Sequence, residues 1–121
     1  MAFTTVSTVN DWMYRGSPYS PVVQVRDENG DPKNIAGIDS DPKLYLYKDY
    51  TRGEPAIEKE GEILSTQNGT IRFKITTEDT KSLPAITYDL IVIIEEDGEP
   101  YPLLRKRFAL KSVGPPIKEE I

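Results

Sequence analysis

Residues 69–94 alternate and then stop alternating, and that change constrains the fold more than any other feature of the chain. After Gly69, the residues Ile71, Phe73 and Ile75 fall on one side and Arg72 and Lys74 on the other. A period of two is the mark of a half-buried strand. From Tyr88 to Ile94 the run is apolar on both sides, which predicts a central strand covered on two faces. Between them, Thr76-Thr-Glu-Asp79 has the spacing of a capping box, and Leu83-Pro84 halts any helix within about two turns. The stretch therefore reads as a strand, one helical turn near residues 77–83, and a buried strand.

The remaining segments read as further strands around this unit. Val22 to Arg26 is a strand with Val23 and Val25 inward, starting only after Pro18 and Pro21 have held Tyr19 and Ser20 extended. Asp27-Glu-Asn-Gly-Asp-Pro32 is a turn, with Asn29-Gly30 suited to left-handed positions and Pro32 ending the pairing. Ile35-Ala-Gly-Ile38 suits a crossing between sheets. Lys43 to Tyr50 is a strand with Leu44 and Leu46 on one side and Tyr45 and Tyr47 on the other. Both sides are apolar, so its second face is also expected to be covered.

Ala56–Lys59 and Glu62–Ser65 are short, polar and peripheral, and Asn68-Gly69 is a tight turn. Glu95 to Pro100 is a polar hairpin turn. Tyr101 to Val113 returns as the last strand, with Leu104, Phe108 and Leu110 on one face and Lys106 placed where its ammonium can reach water. With many short strands, frequent turn signals and no βαβ spacing, the fold class is all-β: a single immunoglobulin-like antiparallel β-sandwich of about seven or eight strands. With no cysteine, the chain lacks the Cys…Trp…Cys spacing of a true immunoglobulin domain. Residues 1–11 form an N-terminal arm or edge strand, 12–113 the sandwich, and 114–121 an extended, proline-stiffened tail.

Composition narrows the function. A chain of 121 residues makes one domain with a real core. Without cysteine there is no disulfide, thiolate nucleophile or thiolate metal site. Without histidine the commonest general base and the commonest transition-metal ligand are both missing. Catalysis is therefore not expected, and no catalytic, cofactor-binding or metal-binding residue is assigned. Net charge is −5, and the one dense basic patch, Arg105-Lys106-Arg107, is split by strand alternation. Nucleic-acid binding is not expected. Residues 1–10 lack the basic and apolar regions of a signal peptide. No apolar run approaches the roughly 20 residues that span a bilayer. The expectation is a soluble protein, made in the cytoplasm, that does not engage a membrane.

The candidate sites each have an ordinary explanation. Asp27-x-Asn29-x-Asp31 has the oxygen spacing that opens a calcium loop, but Pro32 stands where that loop needs glycine. It reads as a polar turn. Glu95, Glu96, Asp97 and Glu99 read as a solvated hairpin tip that discourages edge pairing. Asn68-Gly-Thr70 matches a glycosylation acceptor but reads as a turn. Trp12, Tyr14, Tyr19, Tyr45, Tyr47 and Tyr50 would make a carbohydrate platform only if several shared one exposed face. Core and interface positions are the ordinary places for such residues.

The order of elements resembles a group of small tail- and neck-associated β-sandwich proteins of bacteriophage virions, including the N-terminal domain of baseplate upper proteins. The matching residues are Tyr14-Arg-Gly16, the strand Val22–Arg26, the turn Asn29-Gly-Asp-Pro32 and the crossing Ile35-Ala-Gly37. Asn68-Gly-Thr-Ile-Arg-Phe73, Thr77-x-Asp79-Thr-x-x-Leu83, the strand through Tyr88 and the Asp97-Gly98 hairpin follow. The resemblance spans residues 12–113. It implies a non-enzymatic virion structural protein, an adaptor, fibre-anchoring or decoration subunit at a head, neck, tail or fibre junction. It implies homo-oligomeric assembly and partners among portal, neck, tail or fibre subunits, with docking through sheet edges and terminal segments. On that reading, removing residues 1–10 or 114–121 would abolish assembly and leave the monomer's melting temperature nearly unchanged. A carbohydrate-binding or host-adhesion module is the alternative.

Overall fold

The computed structural model describes residues 4–7, 9–48 and 53–112. Two sheets face one another. One contains β1 (Thr4–Ser7), β3 (Val22–Arg26), β7 (Thr70–Arg72) and β6 (Glu62–Ser65), in the order β1-β3-β7-β6. The other contains β2 (Trp12–Tyr14), β9 (Glu99–Lys111), β8 (Thr87–Glu96), β4 (Lys43–Tyr47) and β5 (Ile57–Glu60), in the order β2-β9-β8-β4-β5. A single helical turn, α1 (Thr77–Thr80), joins β7 to β8. This is an immunoglobulin-like β-sandwich with nine strands among the described residues.

The extra strands come from the N-terminal segment, which pairs twice. β1 lies antiparallel on β3, and β2 lies parallel on β9 with Met13 opposite Leu110. An all-antiparallel sandwich is thus corrected by one parallel pair. The chain changes sheets between these two strands, and Val9 is buried in the core on the way. Thr4–Ser7 of the expected arm are thus an edge strand of the fold; residues 1–3 and 8, Tyr50, Val113 and the tail 114–121 lie outside the described residues.

Period two decides which side chains meet between the sheets. Val23 and Val25, Leu44 and Leu46, Ile71, and Tyr88, Leu90, Val92 and Ile94 all enter one core cluster with Phe73, Ile75, Phe108 and Leu110. Burying each of Leu90, Val92 and Ile94 contributes about 1.5–3 kcal/mol relative to exposure. The ladder of β7 ends at Arg72, because Phe73 N–H donates to the carbonyl of Pro21 and a proline has no N–H to return. Pairing past the 27–32 turn extends one step further than expected, with an Arg26–Pro32 bridge and Lys33 N–H on the Val25 carbonyl.

β9 carries a bulge. Val92 faces Leu104 and Ile93 faces Pro102, so Leu103 is inserted and turns inward. Leu104, expected inside with Phe108 and Leu110, is only partly buried, and Leu103 shares its place. Pro100 and Pro102 lie outside the stretch of β9 that pairs with β2, which covers only residues 109–111. Lys106 does point inward opposite Leu90, and its Nζ reaches out to the Val9 carbonyl at 3.0 Å and to Asp11 Oδ1 at 2.7 Å.

Candidate functional site

The outward residues of the five-stranded sheet form the most distinctive surface of the molecule. Cross-strand register arranges them in transverse rows. Arg105 stands opposite Ile91, Ile91 opposite Tyr45, and Tyr45 opposite Glu58. The next row holds Pro102, Ile93, Lys43 and Glu60. Ile91 is 7% exposed yet lies outside the core cluster, because its neighbours on the outer face cover it. Tyr47, Ile91, Ile93, Pro100, Pro102 and Arg105 line a shallow groove of about 340 Å³.

Both apolar sides of β4 and β8 predicted that the outer face would be covered as well; among the described residues Ile91 is buried there, and Tyr45, Tyr47 and Ile93 are half-buried.

Four of the aromatic residues singled out in the sequence share this face. Trp12 and Tyr14 alternate with the buried Met13, and their rings meet edge-to-face at 4.9 Å. Lys111 Nζ lies 4.7 Å from the centre of the Trp12 ring, a cation–π geometry. Tyr45 and Tyr47 stand on β4 with ring centres 5.9 Å apart and a tilt of 33°. Tyr19 goes elsewhere: its ring stacks on Phe108 at 6.2 Å and its hydroxyl accepts from Asn10 N–H at 2.7 Å. Tyr50 lies outside the described residues.

Charge on the face is unevenly placed. β9 contributes Arg105 and Arg107, with Arg107 paired to Asp89 at 2.9 Å. β5 contributes Glu58 and Glu60, with Glu58 held to Lys43 at 3.3 Å. The Glu58 hydrogen bond, followed by the charge environment around it, holds the Lys43 ammonium above its usual range. Burial, reinforced by the negative Glu58, pushes the Tyr45 phenol up as well. Both groups thus keep their usual neutral-pH forms, a cationic Lys43 and a neutral Tyr45.

The other sequence candidates serve the scaffold. Asp27 Oδ1 accepts from the N–H groups of Asn29 and Asp31, at 2.9 and 3.0 Å, so it organises its own turn. Asp97 and Gly98 both have positive φ, the pattern of a two-residue hairpin, and Asp39 Oδ2 accepts from Gly98 N–H. No three Asp or Glu side chains gather as a metal-ligand set among the described residues. Asn68-Gly-Thr70 is the β6–β7 turn, with Gly69 at φ 67°. Arg105, Lys106 and Arg107 alternate outward, inward and outward, which splits the basic patch as expected.

Sequence reading missed Ile91, Ile93, Pro100, Pro102, Glu58 and Glu60 as one surface. The alternation of β4 and the double-sided apolarity of β8 carried part of the signal. The pairing that joins them did not show in it.

No protein-family profile matches the chain, and no curated protein matches it in sequence. Similar folds occur among solved structures. A superoxide reductase (neelaredoxin) from Ignicoccus hospitalis superposes with a TM-score of 0.54 at 16% identity, over 89% of this chain and 80% of that one. The filamin domain of Lin-41 superposes with a TM-score of 0.52 at 16% identity, over 88% of this chain and 91% of that one. At such identity the likeness carries the fold alone. The filamin domain fits the immunoglobulin-like sandwich.

Proposed function

We propose that this chain is a non-enzymatic structural protein of a bacteriophage virion. It serves as an adaptor, fibre anchor or decoration subunit at a head, neck, tail or fibre junction. It acts by docking to other virion subunits, in repeated copies. The motif resemblance over residues 12–113 supplies the phage context. The observation that carries the docking role is the outer face of the five-stranded sheet, where Ile91 and Ile93 point away from the core between tyrosines and prolines.

The sheet edges suit docking less well than this face. β5 and β6 carry Glu58, Lys59, Glu60 and Glu62, and charged residues on edge strands oppose strand addition. An apolar face rimmed by charge suits reversible or assembled protein contacts. Mass spectrometry of purified phage particles tests the reading, with copy number measured against the major capsid protein. A reproducible stoichiometry supports it. Absence from clean particles sinks it.

A second reading, a glycan-binding module, is favoured by one observation: Trp12, Tyr14, Tyr45 and Tyr47 share one outer face. Titrating the fluorescence of Trp12 with host cell-wall polysaccharide tests it. A saturable change supports glycan binding, and a flat response rejects it at the Trp12 end of the face.

A further inference from the structure

We propose that the chain pairs with a second copy of itself through this outer face, about a two-fold axis running parallel to the strands between β4 and β8. The inference goes beyond the virion reading and does not depend on it.

The argument rests on the order of residues in one transverse row. Across the sheet the row reads Arg105, Ile91, Tyr45, Glu58. It is positive at one end, negative at the other and apolar in the middle. A two-fold axis along the strands keeps each residue's height and reverses its lateral order. It therefore sets Arg105 against Glu58 of the second copy, Ile91 against Tyr45 of the second copy, and the same two contacts in reverse. A row with like charges at its ends would repel itself under that operation. This one is self-complementary.

The neighbouring row is compatible. It reads Pro102, Ile93, Lys43, Glu60, so Ile93 meets the aliphatic stem of Lys43 and Pro102 meets Glu60 at the rim. Two sheets packed face to face stand about 10 Å apart with strands nearly aligned, which an axis parallel to the strands allows. Tyr45 presents its ring to Ile91 of the second copy, and Tyr47, opposite Asp89 in its own sheet, meets Asp89 of the second copy. Charged ends around an apolar centre also set the register of the pair, since a lateral slip by one strand takes Arg105 off Glu58 and sets it against Tyr45 of the second copy.

Arg105 and Glu58 sit on β9 and β5, separated by β8 and β4 within one copy. Any rescue by exchanging their charges therefore reports a contact between copies. The test is sedimentation velocity on the full chain over a concentration series reaching about 500 µM. The wild-type chain should dimerise, and R105E or E58R alone should weaken the dimer at least about tenfold. The double variant R105E/E58R should restore it. An equimolar mixture of the two single variants should form a heterodimer, which also shows that both variants are folded.

A monomeric wild-type chain would overturn the proposal and leave the face to a glycan or another protein. A dimer indifferent to both single changes would place the interface elsewhere. Single variants that dissociate without rescue by the exchange would refute the two-fold register. None of these outcomes bears on particle composition, which tests the virion reading separately.

Discussion

Thr80 Oγ1 accepts a hydrogen bond from the Gly16 N–H at 2.8 Å, across 64 residues of chain. Thr80 is fully buried. Beside it, Arg15 Nη1 donates to the Leu83 carbonyl at 3.2 Å. Two motifs that stand far apart in the sequence, Tyr14-Arg-Gly16 and Thr77-x-Asp79-Thr-x-x-Leu83, are therefore one structural joint. They fasten the loop after β2 to α1, and so help hold Trp12 and Tyr14 on the outer face.

That joint gives the first prediction. Thr80→Val keeps the volume and removes the acceptor, leaving the Gly16 N–H with no partner at this position. A loss of about 1–3 kcal/mol is expected in urea unfolding, against a small change for Thr80→Ser, which keeps a hydroxyl.

A second prediction concerns two glycines of positive φ. Gly69 is at φ 67°, and a Cβ there would lie 2.6 Å from the Lys33 carbonyl oxygen and 2.9 Å from that of Val25. Backbone atoms at that range do not yield cheaply. Gly98 is at φ 78° with nothing within 4 Å. Gly98→Ala should cost about 1–2 kcal/mol from the backbone conformation alone. Gly69→Ala should cost clearly more, read as the difference between the two unfolding midpoints. Equal costs would mean that the crowding at Gly69 relaxes freely.

A third prediction concerns acid. Burial pushes the Asp79 carboxyl up, but the Thr76 N–H at 2.7 Å, the Lys59 ammonium at 3.1 Å and the Thr76 hydroxyl outweigh it. The net result holds Asp79 below its ordinary value of 3.8. A carboxyl depressed in the folded state stabilises the fold above its unfolded value, and that contribution disappears as pH falls through the folded one. Asp79→Asn should thus cost about 1 kcal/mol near neutrality through the weakened cap. The gap to wild type should narrow below about pH 4. A gap that stays constant with pH would show that the charge of Asp79 contributes nothing.

A fourth prediction reverses an expectation drawn from the sequence. Removing residues 1–10 takes away β1, which pairs with β3 from Thr4–Arg26 to Ser7–Val23, and Val9, which is buried in the core. It also removes the carbonyl that accepts from Lys106. The truncated chain should melt well below the full one, with a loss of several kcal/mol from the Val9 side chain and the lost ladder together. An unchanged melting temperature would restore the detached arm.

The sequence made the strands and turns around the core legible for local reasons. Val22–Arg26 and Glu62–Ser65 lie where alternation and turn residues placed them, and the capping box at Thr76 and Asp79 is present. Tyr88 shows where local reading stopped. Its place at the head of a buried strand was clear, but the bond from its hydroxyl to the Pro84 carbonyl at 2.8 Å was not. That bond ties the start of β8 to the turn before it, as in the tyrosine corner of immunoglobulin-like sandwiches. β2 was missed because three residues pairing in parallel with β9 leave almost no periodic trace. The bulge at Leu103 was missed because a single inserted residue changes no composition and only reverses the inward set.

By itself, then, the sequence determined which side of each strand is apolar, where the chain turns, and that histidine and cysteine chemistry is unavailable. Those are properties of residues and their near neighbours, and chain sterics and hydrophobic patterning express them locally. Only the tertiary structure decided that Arg105, Ile91, Tyr45 and Glu58 stand in one row. Backbone ladders form between any strands whose buried faces agree, and the hydrogen bonds themselves carry no residue identity. Lateral order and register therefore emerge from packing the whole core at once, and with them the charge pattern of the outer face.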